Sequence, residues 1–280
     1  MEQARETHMH GDADVTEFIK LMNSHGPRAF FWLVRHLPSD PRCRLCGAPY
    51  GGFGGRLMRR VGYGPSRKNP SMCVTCFEKA PMGGAQMEIG VLFADLRGFT
   101  ALSESMAPEA VAEMLNDFYG SATEVLSRCA IIDKMVGDQV MALYLPPLLS
   151  ERWEDEMLRD ARELLARAGE RVAAEAPVQL GVGLDVGEAF VGNVGSGEVK
   201  DFTALGDVVN TAARLQSSAQ AGQIVITQRL YERLSAPPLE ARAATLELKG
   251  KSEETRAYVL DISDGARAQA QASAGQTGPN

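Results

Sequence analysis

From Met87 to Ala94 the chain reads MEIGVLFA, almost continuously apolar, and the run stops at Asp95. A short apolar run ended by a polar turn is the pattern of a buried strand, which needs cover from other elements. The sequence downstream supplies that cover. Pro108–Leu126 has helical periodicity, with Val111, Met114, Leu115 and Phe118 on one stripe. Ile131–Lys134 and Gln139–Tyr144 read as strands of a hairpin around Met135–Asp138, and Glu151–Ala174 as a long amphipathic helix between Pro147 and Pro177. Val178–Asp185 and Glu188–Asn193 suggest a second hairpin around Val186-Gly187. Asp207–Ser218 (helix), Gln223–Ile226 (strand), Gln228–Leu234 (helix) and the strands Thr245–Lys249 and Arg256–Leu260 complete the series. This β-α-β-β-α-β order predicts an α+β fold, a sheet covered by helices.

Composition excludes other classes. The chain has 280 residues, of which 45% are hydrophobic and 23% charged, ordinary for a globular protein. Its longest purely apolar runs, Ala29–Val34 and Val140–Leu145, fall far short of the roughly 20 residues that span a bilayer. The start, MEQARETHMH, lacks the basic-then-apolar order of a signal peptide. A cytoplasmic protein without membrane association is expected. Charge is uneven: residues 1–85 carry +5 and the remainder −12. The expected organisation is a disordered N-terminus (1–14), a helical segment plus a cysteine-containing module (15–85), the α+β domain (86–262) and a disordered tail (263–280) rich in Ala, Gln and Gly. Val15–Met22 and Pro27–Leu37 read as short helices in the front segment.

Asp95 and Asp138 each sit on a short glycine-containing turn at a strand end. Two such turns on adjacent strands could bring the carboxylates to one point. Carboxylate oxygens suit Mg²⁺ or Mn²⁺ held jointly by protein and substrate phosphates, and Gly98 allows backbone N–H groups close to a triphosphate. Spacing alone leaves open that both are ordinary turn aspartates.

Three stretches, VLFADLRGFTALSE (91–104), IIDKMVGDQVMALY (131–144) and VGNVGSGEVKDFTALGDVVNTAARLQ (191–216), resemble the class III nucleotidyl cyclases in content, order and separation. The resemblance covers roughly residues 87–262 and implies a ferredoxin-like cyclase catalytic domain with a central, mostly antiparallel sheet. It implies that Asp95 and Asp138 bind two Mg²⁺ or Mn²⁺ ions per site, with Arg97, Gly98, Phe99 and Thr100 of the first turn near the substrate. Asn210 would orient the ribose and Arg214, four residues on and on the same helical face, would stabilise charge on the α-phosphate. Lys249 would bind the terminal phosphates, with Lys251 as the alternative. Base choice would rest on Lys134 and Thr203. An ammonium can donate to adenine N1 and a hydroxyl can accept from the N6 amine, whereas guanylyl relatives typically carry Glu in place of the lysine. Thr203 departs from the aspartate of many adenylyl cyclases and matches one bacterial subgroup, some of whose members respond to bicarbonate. Asp201 has the wrong offset for this role. The resemblance thus implies an adenylate cyclase, a lyase making cyclic AMP and pyrophosphate from ATP for intracellular signalling. It also implies a head-to-tail homodimer whose two sites lie at the subunit interface. A non-catalytic cyclase-homology module and a guanylate cyclase are the alternatives.

Four of the five cysteines form two pairs, Cys43-x-x-Cys46 and Cys73-x-x-Cys76. Two such knuckles at a distance are the usual way to build a tetrahedral thiolate site, and structural Zn²⁺ is expected, with an iron–sulfur cluster or metal-free redox thiols as alternatives. No histidine (His8, His10, His25, His36) has convincing ligand spacing to them, and Cys129 reads as a core residue. Arg28–Lys79 holds ten Lys/Arg against Asp40 and Glu78. With few interleaved aromatics, this ribbon suits docking on an acidic surface, including the acidic body of the chain itself, better than nucleic acid. Phe30-Phe31-Trp32 reads as a core or dimer contact. Gly181, Gly183 and Gly187 imitate a dinucleotide fingerprint, but the last spacing is one residue too long and no helix follows.

Overall fold

The computed structural model describes residues 36, 41–43, 46–66, 72–78, 83–171, 179–196, 199–247 and 254–262. The helices read at Val15–Met22 and over most of Pro27–Leu37, the ends expected to be disordered, Phe30-Phe31-Trp32, Lys249 and Lys251 lie outside those residues. The chain divides into two compact units, Met1–Glu88 with Glu188–Leu205, and Ile89–Gly187 with Gly206–Asn280.

The larger unit takes in Ile89–Leu96 of β1 (Gly83–Leu96), β2 (Ile131–Val136), β3 (Gln139–Tyr144), Leu180–Gly187 of β4 (Leu180–Ser196), β6 (Gln223–Thr227), β7 (Arg242–Leu246) and β8 (Thr255–Asp261), strands that follow one another in the order β2-β3-β1-β4-β6-β8-β7. Pairs β2–β3, β1–β3, β6–β8 and β7–β8 are antiparallel, and β4–β6 is parallel. Its helices are α3 (Phe99–Ser105), α4 (Pro108–Leu126), α5 (Trp153–Arg171), α6 (Asp207–Ser218) and α7 (Gln228–Tyr231). The central strand is covered on both faces as the sequence required: Val91, Leu92, Phe93 and Ala94 are all buried. Leu92, Ala94, Val140, Ala142, Val182, Leu184, Ile224 and Ile226 form one cluster with Phe118, Val125 and Leu126 of α4 and Met157, Leu158 and Leu164 of α5. Burial of such side chains contributes roughly 1.5–3 kcal/mol each and carries most of the fold's stability. None of the described helices is long and apolar enough to cross a membrane.

The smaller unit holds α1 (Gly52–Arg60), α2 (Val74–Glu78) and, from the far half of β4, a ladder with β5 (Val199–Leu205) in which Gly192 faces Thr203. Two isolated bridges, Arg42↔Pro49 and Pro65↔Cys73, close the turns that carry the cysteines.

The second hairpin read from sequence is instead one continuous strand of 17 residues. Gly187 is not among the glycines with positive φ, so the chain does not turn there. β4 changes partner rather than direction: Gly181–Leu184 pairs with β6 and Phe190–Ser196 with β5. Two strands' worth of apolar pattern on one strand is locally indistinguishable from a hairpin. β5 went unread because its residues, VKDFTAL, mix charge with apolar positions. β7 begins three residues earlier than Thr245 because Ala243 and Ala244, weak β formers, pair with Tyr258 and Ala257.

Asp185 pins β4 just before the change of partner. It is fully buried, accepts from its neighbour's Val186 N–H at 2.8 Å and from Thr227 Oγ1 at 2.6 Å, and forms a bidentate ion pair with Arg229, whose Nε lies at 2.7 Å. Asp185 is fully buried while Arg229 is 44% exposed, so removing the arginine leaves that carboxylate with Val186 N–H and Thr227 as its remaining donors. Arg229→Ala should therefore lower the unfolding free energy by about 2 kcal/mol, the scale of a lost hydrogen-bonded partner of a buried charge, read as a lower midpoint in urea at unchanged slope.

Candidate active site and candidate metal centre

The register of β1 on β3 builds the first site. Asp95 sits opposite Gln139, and the Leu96 N–H donates to the Asp138 carbonyl at 3.2 Å. Gly137, at φ 59°, turns the β2–β3 hairpin, and Gly98, at φ 75°, turns β1 into α3. Both lie in the left-handed region where a side chain is strained. Asp95 and Asp138, 43 positions apart by number, are thus brought to one end of adjacent strands. Tyr119 of α4 donates its hydroxyl to the Gly137 carbonyl at 2.5 Å and braces the hairpin tip.

Burial raises the Asp95 carboxyl above its ordinary proton affinity, and the charge of Asp138 raises it further; Arg97 and Gln216 oppose the shift. Two carboxylates that repel each other at a half-buried position are hard oxygen donors short of positive charge. That donor set fits Mg²⁺ or Mn²⁺. Asp95 and Asp138 could hold such ions.

Arg97 leaves the turn inward. Its guanidinium lies 3.3 Å from Asp95 and donates to the Gln216 carbonyl at 3.1 Å. Phe99 is half-buried and Thr100 exposed at the start of α3. Asn210 and Arg214 stand on α6, whose buried face is Val208, Thr211, Ala212, Leu215 and Gln216. Asn210 is exposed and Arg214 half-buried. Lys134 is exposed on β2 beside a register shift at Asp133. Thr203 is buried on β5, and Asp201, two residues earlier, is exposed. Sequence reasoning overlooked Gln139, Gln216 and Tyr119. Gln216 carried a faint signal: with Thr211 it is a polar residue on the mostly apolar buried stripe of α6.

The four paired cysteines converge. All are buried, and their Sγ atoms lie within 4.8 Å of one another, with Cys46 and Cys73 3.7 Å apart. Each pair is wound as a knuckle. Gly47 donates to the Cys43 carbonyl at 2.9 Å, and the Cys76 N–H donates to Cys73 Sγ at 3.2 Å. The Cys73 N–H reaches Cys43 Sγ across the pairs, also at 3.2 Å. Hydrogen bonds from the neighbouring sulfurs draw Cys43 down although burial opposes this, while bonding to Cys43 pushes Cys46 and Cys76 up. Four crowded sulfurs without a cation cannot all be thiolates. A central cation resolves the conflict, so these residues could hold a metal. His36 and Cys129 are not in the cluster.

Residues 84–261 match the family described as the adenylate and guanylate cyclase catalytic domain. An adenylate cyclase of Anabaena cylindrica is 29% identical over 203 residues, 64% of this chain and 39% of that protein. An uncharacterised protein of Mycobacterium tuberculosis is 31% identical over 171 residues, 60% of this chain and 29% of its own length. The chain therefore spans well under half the length of these relatives. Among solved structures, the guanylyl cyclase Cya2 superposes with TM-score 0.60 at 28% identity, covering 64% of this chain and 93% of that one. The adenylyl cyclase CyaB from P. aeruginosa gives 0.55 at 26% identity, covering 64% and 97%.

Cys73 links the two pairs: its N–H donates to Cys43 Sγ, and its own Sγ accepts from the Cys76 N–H. If the cluster takes a metal, Cys73→Ser, which removes one of four ligands, should leave less bound metal per chain than the unaltered protein by elemental analysis; equal metal in the two would remove these residues as its ligands.

Proposed function

The chain belongs to the adenylate and guanylate cyclase catalytic domain family, and we propose that it converts ATP into 3′,5′-cyclic AMP and pyrophosphate. The observation that carries this reading is the convergence of Asp95 and Asp138 at the ends of β1 and the β2–β3 hairpin. In the reaction the ribose 3′-oxygen forms a bond to the α-phosphorus, the bond to the β-phosphate oxygen breaks, pyrophosphate leaves and the 3′-hydroxyl proton is released. Two divalent ions on the aspartates would supply Lewis-acid polarisation of the hydroxyl and neutralisation of the phosphates. The side chains do the rest by placement. Asn210 holds the ribose so that its 3′-oxygen faces the α-phosphate, and Arg214 offsets charge accumulating there. Lys249 takes the terminal phosphates. Lys134 donates to adenine N1, and Thr203 accepts from the N6 amine.

The helix geometry supports an active homodimer. At about 100° per residue, Arg214 lies roughly 200° and Asn210 roughly 240° around α6 from Gln216. Arg97 bridges the Gln216 carbonyl to Asp95 of the same chain, so Gln216 lies on the Asp95 side of α6 and Asn210 and Arg214 are turned away from that carboxylate. A second copy, arranged head to tail, would offer them to it and make two equivalent sites.

The cysteine cluster is proposed to hold structural Zn²⁺. Sulfurs 2.3 Å from one ion stand about 3.8 Å apart at a tetrahedron's edges, close to the 3.7 Å between Cys46 and Cys73. An iron–sulfur cluster would place its own atoms between the cysteines and spread them further. Together with the basic charge of its surroundings, this reads as a regulatory module in a cytoplasmic signalling enzyme.

Guanylate cyclase is the rival reading, since the structure with TM-score 0.60 is a guanylyl cyclase. Lys134 favours the adenylate reading, because guanine carries a proton on N1 where the lysine would donate. Purified protein given ATP or GTP with Mn²⁺ should yield cyclic AMP by mass, and Asp95→Ala should lower the rate at least about 100-fold, the scale of losing a group that stabilises developing charge. Cyclic product at the wild-type rate in that variant would overturn the metal assignment. Lys134→Glu with Thr203→Cys should move the ATP:GTP rate ratio at least about tenfold toward GTP; an unchanged ratio would overturn the choice of base.

A further inference from the structure

Two glycines that imitate a dinucleotide fingerprint have a different use here. Gly181 and Gly183 lie two residues apart on β4 and so share one face of the strand. A Cβ on Gly181 would fall 2.5 Å from Nε of Arg97, and one on Gly183 would fall 2.2 Å from the Gln216 backbone N and 2.4 Å from the Ala212 carbonyl oxygen. The strand therefore has two adjacent seats. One receives the Arg97 side chain and the other the backbone of α6 at its last turn.

The seats bring together four polar groups. The Arg97 guanidinium reaches the Gln216 carbonyl at 3.1 Å and Asp95 at 3.3 Å. The Gln216 side chain, 2% exposed, accepts from Gln139 Nε2 at 3.4 Å. Because its oxygen is engaged by Gln139, its amide N–H₂ is left as the group able to donate to Asp95, whose proton affinity Gln216 lowers. Gln139 is in turn the strand partner of Asp95. Every contact runs between the carboxylate that would meet the metal and the end of the helix that carries Asn210 and Arg214.

We infer that Arg97 and Gln216, seated on Gly181 and Gly183, are positioning residues that clamp Asp95 to the C-terminal turn of α6. This rests on the cyclase reading given above. Arg97 lies in the first substrate turn, yet its guanidinium is committed to Asp95 and to the helix. The clamp has a consequence for a head-to-tail dimer. One face of α6 fixes the metal carboxylate of its own chain, and the opposite face offers Asn210 and Arg214 to the partner's site. A single rigid helix then sets the metal half of one site and the nucleotide half of the other, so that a shift in α6 is felt at both.

The test uses the metal-replete full chain and Mn²⁺ alone, with free Mn²⁺ followed by electron paramagnetic resonance and Asp95→Asn defining the background. Gln216→Met keeps the volume and removes the donor. It should weaken Mn²⁺ binding about tenfold, the scale seen when an outer-shell partner of a metal ligand is lost. Gly181→Ala removes no polar group but displaces the flexible end of Arg97, and should weaken binding about threefold with an unchanged melting midpoint. If Gln216→Met does not fold, Gly181→Ala carries the test. Cyclase turnover lost in either variant should return on raising Mn²⁺, which a general packing defect would not allow. Wild-type Mn²⁺ affinity in folded Gln216→Met and Gly181→Ala, with binding abolished in Asp95→Asn, would overturn the clamp and leave the cyclase reading intact. Undiminished binding in Asp95→Asn would overturn both.

Discussion

The antiparallel pairing of β1 with β3 is the constraint on which the rest of the site depends. With Asp95 opposite Gln139, the Asp138 turn closes directly over the end of β1. A slip of one residue would send Asp95 to the other face of the sheet and exchange the side chains that fill the two core layers. The buried run Val91–Ala94 prevents that slip, because its side chains fill both faces of the core. Hydrophobic packing thus sets the position of a carboxylate that would, on its own, prefer solvent. Burial and the Asp138 charge both oppose its ionisation, an unfavourable balance that a divalent cation at the pair would reverse.

The cysteine cluster follows the same logic with softer donors. Backbone N–H groups aimed at sulfur and two short bridged turns gather four thiols that repel one another once ionised. In both places the protein holds like groups close together, and the chemistry of the donors separates the metals they suit: oxygen for Mg²⁺ or Mn²⁺, sulfur for Zn²⁺. Arg59 of α1 donates to the Tyr50 carbonyl at 2.7 Å and ties that helix to the first knuckle. Part of the module's basic charge is therefore structural.

Much of this was legible in the residues. The buried strand at Met87–Ala94, the α4 stripe, the β2–β3 hairpin and the two cysteine pairs were all visible, because each is a local pattern with its own period or spacing. The second hairpin was misread for a physical reason. β4 is long and exchanges one partner for another near Gly187, and partner exchange leaves no mark on the local sequence. β7 was shifted because its alanines pair through backbone alone. Gln139 and Gln216 were passed over because a glutamine acquires a role only from what surrounds it.

The sequence by itself determined the family, the α+β class and the identities of the residues with chemistry to offer, since these depend on side-chain type and on spacings within single elements. Only the tertiary structure decided which of them meet. It turned Arg97 inward, set Gln216 against Asp95 and left Asn210 and Arg214 on the opposite side of the same helix. Those outcomes come from how closely α6 can approach β4, and that distance is set by two missing side chains, at Gly181 and Gly183.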